Sequence, residues 1–116
     1  MEELDLIIEQ YKNRVSTSMT MIQNGGDDLT INRLSTKRSC YRGIIFDLVL
    51  LKNDSSVEKL DEIITDYQRK VSTLTTEIEK GGSDLTINRL STKGSCYRTF
   101  ISELKKLKII SNKNIT

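Results

Sequence analysis

Apolar side chains recur at Leu4, Ile7, Ile8, Tyr11, Val15 and Ile22, the i, i+3, i+4 spacing of a single helical face. This pattern predicts a first helix over residues 3–24. Gly25-Gly26 ends it, because glycine accepts the left-handed backbone that a helix C-cap requires. Leu34, Tyr41, Ile45, Leu48 and Leu51 predict a second helix ending near Lys52, with Asp28, Thr30 or Asn32 as its N-cap. A connection this short predicts an antiparallel helical hairpin. Asn53-Asp54-Ser55-Ser56 breaks the pattern, and Ser55 with Glu58 has capping-box spacing for a new start. Leu60, Ile63, Ile64, Tyr67, Val71, Leu74 and Ile78 predict a third helix, closed by Gly81-Gly82. Leu90, Tyr97, Ile101, Leu104 and Leu107 predict a fourth.

The second half therefore repeats the first with a shift of 56 residues. The expected organisation is one domain over 1–116, with repeat 1 at 1–52, repeat 2 at 57–110 and a frayed tail at 111–116. One hairpin cannot hide its apolar stripe alone, so the fold class is all-α: tandem hairpins closing as an up-down-up-down four-helix bundle. That path puts both glycine turns at one end and the Asn53–Ser56 linker at the other. The alternative is an open pair of hairpins that closes only by dimerising.

The two copies are unevenly alike. Gly25–Arg42 and Gly81–Arg98 agree at 16 of 18 positions, with only Asp27/Ser83 and Arg38/Gly94 different. The preceding helix, 4–24 against 60–80, agrees at 10 of 21, and the following stretch, 43–52 against 99–108, at 4 of 10. Core packing accounts for Ile31, Leu34 and Tyr41 in the repeated stretch. It does not account for Asn32, Arg33, Ser35, Thr36, Lys37, Ser39 and Arg42, residue types that usually sit in water and vary freely. They are expected either to form caps and a polar network between hairpins or to form a contact surface.

A second contrast runs the other way. Leu6, Met21, Phe46, Val49 and Leu50 become Glu62, Glu77, Ser102, Lys105 and Lys106 in repeat 2. With Ile44, Ile45, Leu48 and Leu51, the residues Phe46, Val49 and Leu50 make the second helix apolar nearly all round, and such a helix is normally buried. A homodimer interface at Phe46, Val49 and Leu50, formed by repeat 1 alone, is expected.

Charge sharpens the picture of the repeated stretch. The chain of 116 residues carries a net charge of only +2, too little for a general polycation that coats nucleic acid. Yet residues 28–42 carry +3 and residues 84–98 carry +2, leaving the remainder at −3. Arg33 with Lys37, and Arg38 with Arg42, are i, i+4 neighbours. They stand in the first half of a helix whose free N–H groups and dipole suit an anion. The expected ligand-binding residues are Asn32, Arg33, Ser35, Thr36, Lys37 and Arg42, with Asn88, Arg89, Ser91, Thr92, Lys93 and Arg98 as their counterparts.

Other chemistry is thin. There is no histidine, so the usual general base is missing. No catalytic residue, cofactor motif or metal-ligand spacing is evident, and an enzyme is not expected. Cys40 and Cys96 read as small, buried, reduced side chains, which suits a cytoplasmic setting. The tyrosines fall on apolar faces, where packing with the hydroxyl at the edge is expected. The hydroxyl-rich run Val15-Ser16-Thr17-Ser18 is expected to pack closely between helices. No apolar run approaches the roughly 20 residues that span a bilayer, and the acidic start is unlike a signal peptide. Between Leu34 and Tyr41 there is no room for the turn of a helix-turn-helix, so no family is assigned.

The function expected from these residues is a non-catalytic binding or regulatory protein with two equivalent basic polar sites for a phosphate-bearing ligand, nucleic acid or nucleotide. The alternative is a protein–protein adaptor or inhibitor that docks its paired motifs on an acidic partner surface.

Overall fold

The second, third and fourth helices each start where a side chain takes up a free N–H group of the first turn. Asp27, with extended backbone at φ −75° and ψ 172°, accepts from the Thr30 N–H at 2.8 Å. Ser83 does the same for the Thr86 N–H at 3.2 Å. The cap is thus Asp27, not Asp28, Thr30 or Asn32, all of which lie inside the helix. An N-cap must be non-helical, which excludes the other three. Asp27 and Ser83 differ between the repeats, yet both are strong capping residues, so this difference preserves the function of the position. Ser56, rather than Ser55, caps the third helix by accepting the Lys59 N–H at 3.1 Å. Asp54 in turn accepts the Ser56 N–H at 3.3 Å. Gly25 and Gly81 have φ of +84° and +80°, as a left-handed C-cap requires.

The computed structural model describes residues 2–115, with side-chain burial over 3–110. Its helices are α1 (Glu2–Gln23), α2 (Asp28–Asn53), α3 (Val57–Glu79) and α4 (Asp84–Ile115). No strand occurs among the described residues. The expected frayed tail from Ser111 is instead helical to Ile115, and Thr116 lies outside the described residues.

The hairpins α1/α2 and α3/α4 close on each other within one chain as a four-helix bundle. Its cross-section is not square. The hairpins meet mainly through α2 and α4, while α2 and α3 touch only marginally. The extents, 50 × 33 × 18 Å, describe a flattened body whose short diagonal joins α2 to α4. These two helices run parallel and in register: Asn88 Nδ2 donates to Asn32 Oδ1 at 3.2 Å and to the Leu29 carbonyl at 3.1 Å. Both glycine turns therefore share one end of the bundle.

The main core fills the half nearer the linker. Leu4, Ile8, Tyr11, Ile44, Leu48 and Leu51 from repeat 1 pack with residues that include Leu60, Ile64, Tyr67, Phe100, Leu104 and Leu107 from repeat 2. Phe100 sits edge-on to both Tyr11 and Tyr67, with ring centroids 5.8 Å and 4.8 Å away. Each of these tyrosines reaches across to the other hairpin. The Tyr11 hydroxyl donates to Glu103, and the Tyr67 hydroxyl donates to Asp47. Asp47 and Glu103 are equivalent positions 56 residues apart, so the two bonds are one reciprocal arrangement. Burial first, and the bonded carboxylate second, push both phenols well above their ordinary range.

The Asp27 cap gives a pH-dependent test. Hydrogen bonds from Thr30 hold its carboxyl below the ordinary 3.8. A carboxyl depressed in the folded state stabilises the fold above its unfolded value, and that contribution is lost as pH falls through the folded one. Asp27→Ser keeps a cap that cannot ionise, and it loses the favourable charge at the helix N-terminus. Thermal melts are predicted to show Asp27 ahead of Asp27→Ser at neutral pH, with the gap closing below pH 3.8. A gap independent of pH contradicts this reading.

Candidate functional site: two basic grooves

The repeated stretch contributes to three different surfaces of α2 and α4, because its residues point around the whole helix. Asn32 and Asn88 face the α2/α4 seam and bond to each other. Thr36 and Thr92, expected to face a ligand, are buried there, and each hydroxyl donates to the carbonyl one turn earlier, at 2.8 Å and 2.7 Å. Their donors are used within the helix, which removes both from any contact surface. Cys40 and Cys96 are free and buried on the same seam.

Arg42 and Arg98 lie elsewhere. Arg33 and Arg42 are nine residues apart, about two and a half turns, and so project on opposite sides of α2. Arg89 and Arg98 are separated in the same way. Arg42 and Arg98 are exposed and line neither the α1/α2 nor the α3/α4 groove. Ser35 and Ser91, seven residues before them, share that outer face. The expected set of twelve therefore does not converge on one surface. The second difference between the copies, Arg38 against Gly94, is not explained by packing. A Cβ at Gly94 would stand 3.4 Å from Nη1 of Arg98, whose guanidinium folds over the glycine. Repeat 1 has Arg38 there, with its Nε buried and without a partner.

Arg33, Lys37 and Lys93 line grooves. One groove of about 280 Å³ runs between α1 and α2, bounded by Asn13, Arg14, Thr17, Ser18, Met21, Arg33, Leu34, Lys37 and Tyr41. The other, of about 550 Å³, runs between α3 and α4, bounded by Ile63, Asp66, Tyr67, Arg69, Lys70, Thr73, Leu74, Lys93 and Tyr97, with Asp47 from α2. Shifted by 56 residues, the two coincide at Asn13/Arg69, Arg14/Lys70, Thr17/Thr73, Ser18/Leu74, Lys37/Lys93 and Tyr41/Tyr97. They are one crevice built twice. Arg89 is exposed near the turn end and does not line the larger groove.

Each groove presents three cations. In the first, Arg14 lies 3.6 Å from Glu103 and 4.4 Å from the Tyr11 ring centroid. In the second, its counterpart Lys70 stands 4.3 Å from the Tyr67 centroid and 5.8 Å from that of Tyr97. Arg69 pairs with Asp66 at 3.3 Å. Among the described residues, Arg33, Lys37, Lys70 and Lys93 have no carboxylate within 4.0 Å. Burial lifts the Tyr41 hydroxyl to about 12, and Cys96 beside it on the seam raises it too. The unpaired cations at each groove offer charge and charge-assisted hydrogen bonds to an anion, whereas the Thr73 hydroxyl already donates to the Arg69 carbonyl at 3.1 Å. Among the described residues, no cluster of three or more His, Cys, Asp or Glu side chains is placed to hold a metal ion.

Arg14, Arg69 and Lys70 were not among the residues expected from the sequence. They stand on α1 and α3, where the copies diverge. The available signal was charge rather than identity, since position 14 and its counterpart 70 are both basic. By fold and site the chain is an all-helical bundle of two hairpins with a duplicated basic groove. No family model, characterised protein or solved structure compared with the chain matches it. No described helix is long and apolar enough to cross a membrane.

Proposed function

We propose that the chain is a non-catalytic binding protein that receives phosphate-bearing ligands, nucleotide or nucleic acid, in its two interhelical grooves. The observation that carries this reading is the recurrence of one crevice in both hairpins, each time with an unpaired lysine from the repeated stretch. A groove lysine with no carboxylate beside it leaves a positive charge that an anionic ligand can pair. Lys37 and Lys93 are the central contacts. Arg33 and Arg14 assist in the first groove, and Lys70 and Arg69 in the second. Asn32, Asn88, Thr36 and Thr92 hold the hairpins in register, while Arg42, Arg98, Arg89, Ser35 and Ser91 add positive potential and polar surface outside the grooves. The setting this reading implies is the cytoplasm.

Titration calorimetry with a short single-stranded oligonucleotide and with a mononucleotide tests the reading. Lys37→Ala combined with Lys93→Ala is predicted to weaken binding about tenfold or more, and raising salt from roughly 50 to 200 mM is predicted to weaken oligonucleotide binding in parallel. Binding that ignores both changes contradicts it. Failure of both ligands to bind favours the adaptor alternative, in which the same cations meet an acidic protein surface.

Repeat 1 also supports self-association. Phe46 is 66% exposed, Val49 42% and Leu50 40%, on the outer face of α2, where α4 carries Ser102, Lys105 and Lys106. Phe46, Val49 and Leu50 form the interface of a two-fold homodimer. Sedimentation equilibrium is predicted to give twice the 13.3 kDa chain mass. Phe46→Lys with Leu50→Lys is predicted to give the single-chain mass. A monomer before substitution excludes the dimer.

A further inference from the structure

The two grooves share a plan but differ in size, wall and charge, and the differences point in one direction. Pockets that hold small organic ligands enclose roughly 300–1,000 Å³. At about 550 Å³ the α3/α4 groove lies within that range, whereas the α1/α2 groove, at about 280 Å³, falls just below it. The wall differs too. Ser18 of the first groove is replaced by Leu74 in the second, so the apolar side chains are Ile63 and Leu74 there, against Met21 and Leu34 in the first. Beside this apolar surface stands the half-buried Tyr97 ring, a face on which a heterocycle can stack. Lys70 and Lys93 have no carboxylate partner within 4.0 Å among the described residues, so neither charge is neutralised in the groove.

The acidic groups limit what that anion can be. Asp47 and Asp66 line the second groove, and no carboxylate lines the first. Asp47 accepts from Tyr67 and keeps further lone pairs, since an ionised carboxylate can accept about four hydrogen bonds. It suits the hydroxyl or amino donors of a ligand and repels a second phosphate. A long polyanion is disfavoured, and a single phosphate joined to a donor-rich ring body is favoured.

We propose that the α3/α4 groove is a nucleoside monophosphate site, occupied once per chain. Lys70 and Lys93 hold the phosphate, Tyr97 and Leu74 take the base, and Asp47 accepts from the sugar or the base. The α1/α2 groove lacks the room for a base and takes a bare phosphate group only. This inference rests on the phosphate reading above.

Calorimetry on the full chain with the four nucleoside 5′-monophosphates, ribose 5-phosphate and inorganic phosphate separates the two. At least one nucleoside monophosphate is expected to bind with a stoichiometry of one, about tenfold or more tighter than ribose 5-phosphate, which lacks the base. Lys93→Ala is expected to reduce that binding about tenfold, and Thr73→Trp, a change at an exposed groove position, to block it. Lys105→Ala, outside both grooves, is expected to leave it unchanged. Circular dichroism confirms that each variant keeps its helices. Ribose 5-phosphate or inorganic phosphate binding as tightly as every nucleotide, or two equal nucleotide sites, overturns the inference and leaves the phosphate reading in place. If none of these ligands binds, the inference falls, and the phosphate reading falls with it unless the oligonucleotide binds.

Discussion

The bundle depends on a hydroxyl that crosses between hairpins twice. Tyr11 and Tyr67 are buried at the centre of the core, and a buried phenol without a partner is costly. Each finds its acceptor on the other hairpin, at Glu103 and Asp47. Hydrophobic burial supplies most of the drive for closure but is indifferent to register. The two directed bonds, together with the Asn88–Asn32 bond across the seam, supply the register, because a slip of one residue along α2 or α4 would carry these partners to another face. With Phe100 between the two tyrosine rings, they fix how the outer helices sit against the central pair. The larger groove inherits its shape from this, since Tyr67 and Asp47 form part of its wall.

The parallel α2/α4 seam explains part of the near-identity of the repeated stretch without any ligand. Across this pseudo-two-fold seam a residue faces its own counterpart, as Asn32 faces Asn88. A change in one copy then needs a matching change in the other. Asn32, Thr36 and Cys40 fall under this constraint. Arg33 and Lys37 do not. They stand off the seam in the crevice toward α1, and the only demands visible there are solvation and charge. The repeated stretch therefore serves two ends, holding the hairpins together on one face and placing cations on another.

The helices, their order and both glycine turns were legible because a 3.6-residue apolar period and paired glycines are local signals. The caps were missed, Asp27 lying before all three expected candidates Asp28, Thr30 and Asn32, and Ser56 one residue after Ser55, because several neighbouring polar residues can cap and only backbone conformation selects among them. Tyr11 and Tyr67 were correctly placed in the core, but their acceptors were not. Nothing local marks Asp47 or Glu103 as the end of a contact between hairpins. The grooves were half legible. Lys37, Lys93 and Arg33 stood out by repetition, whereas Arg14, Arg69 and Lys70 lie where the copies differ. Thr36 and Thr92 looked like surface hydroxyls because sequence spacing alone does not show which side of α2 meets α4.

Architecture and chemistry therefore meet at one pair of groups. The bond that locks α3 to the opposite hairpin also sets the acidic wall of the larger groove. The most direct test is a double-mutant cycle of Tyr67→Phe, Asp47→Ala and the two combined, read by urea unfolding. A shared buried bond predicts a coupling energy of about 1 kcal/mol or more. Strict additivity, with each substitution acting as if the other residue were absent, would contradict the account.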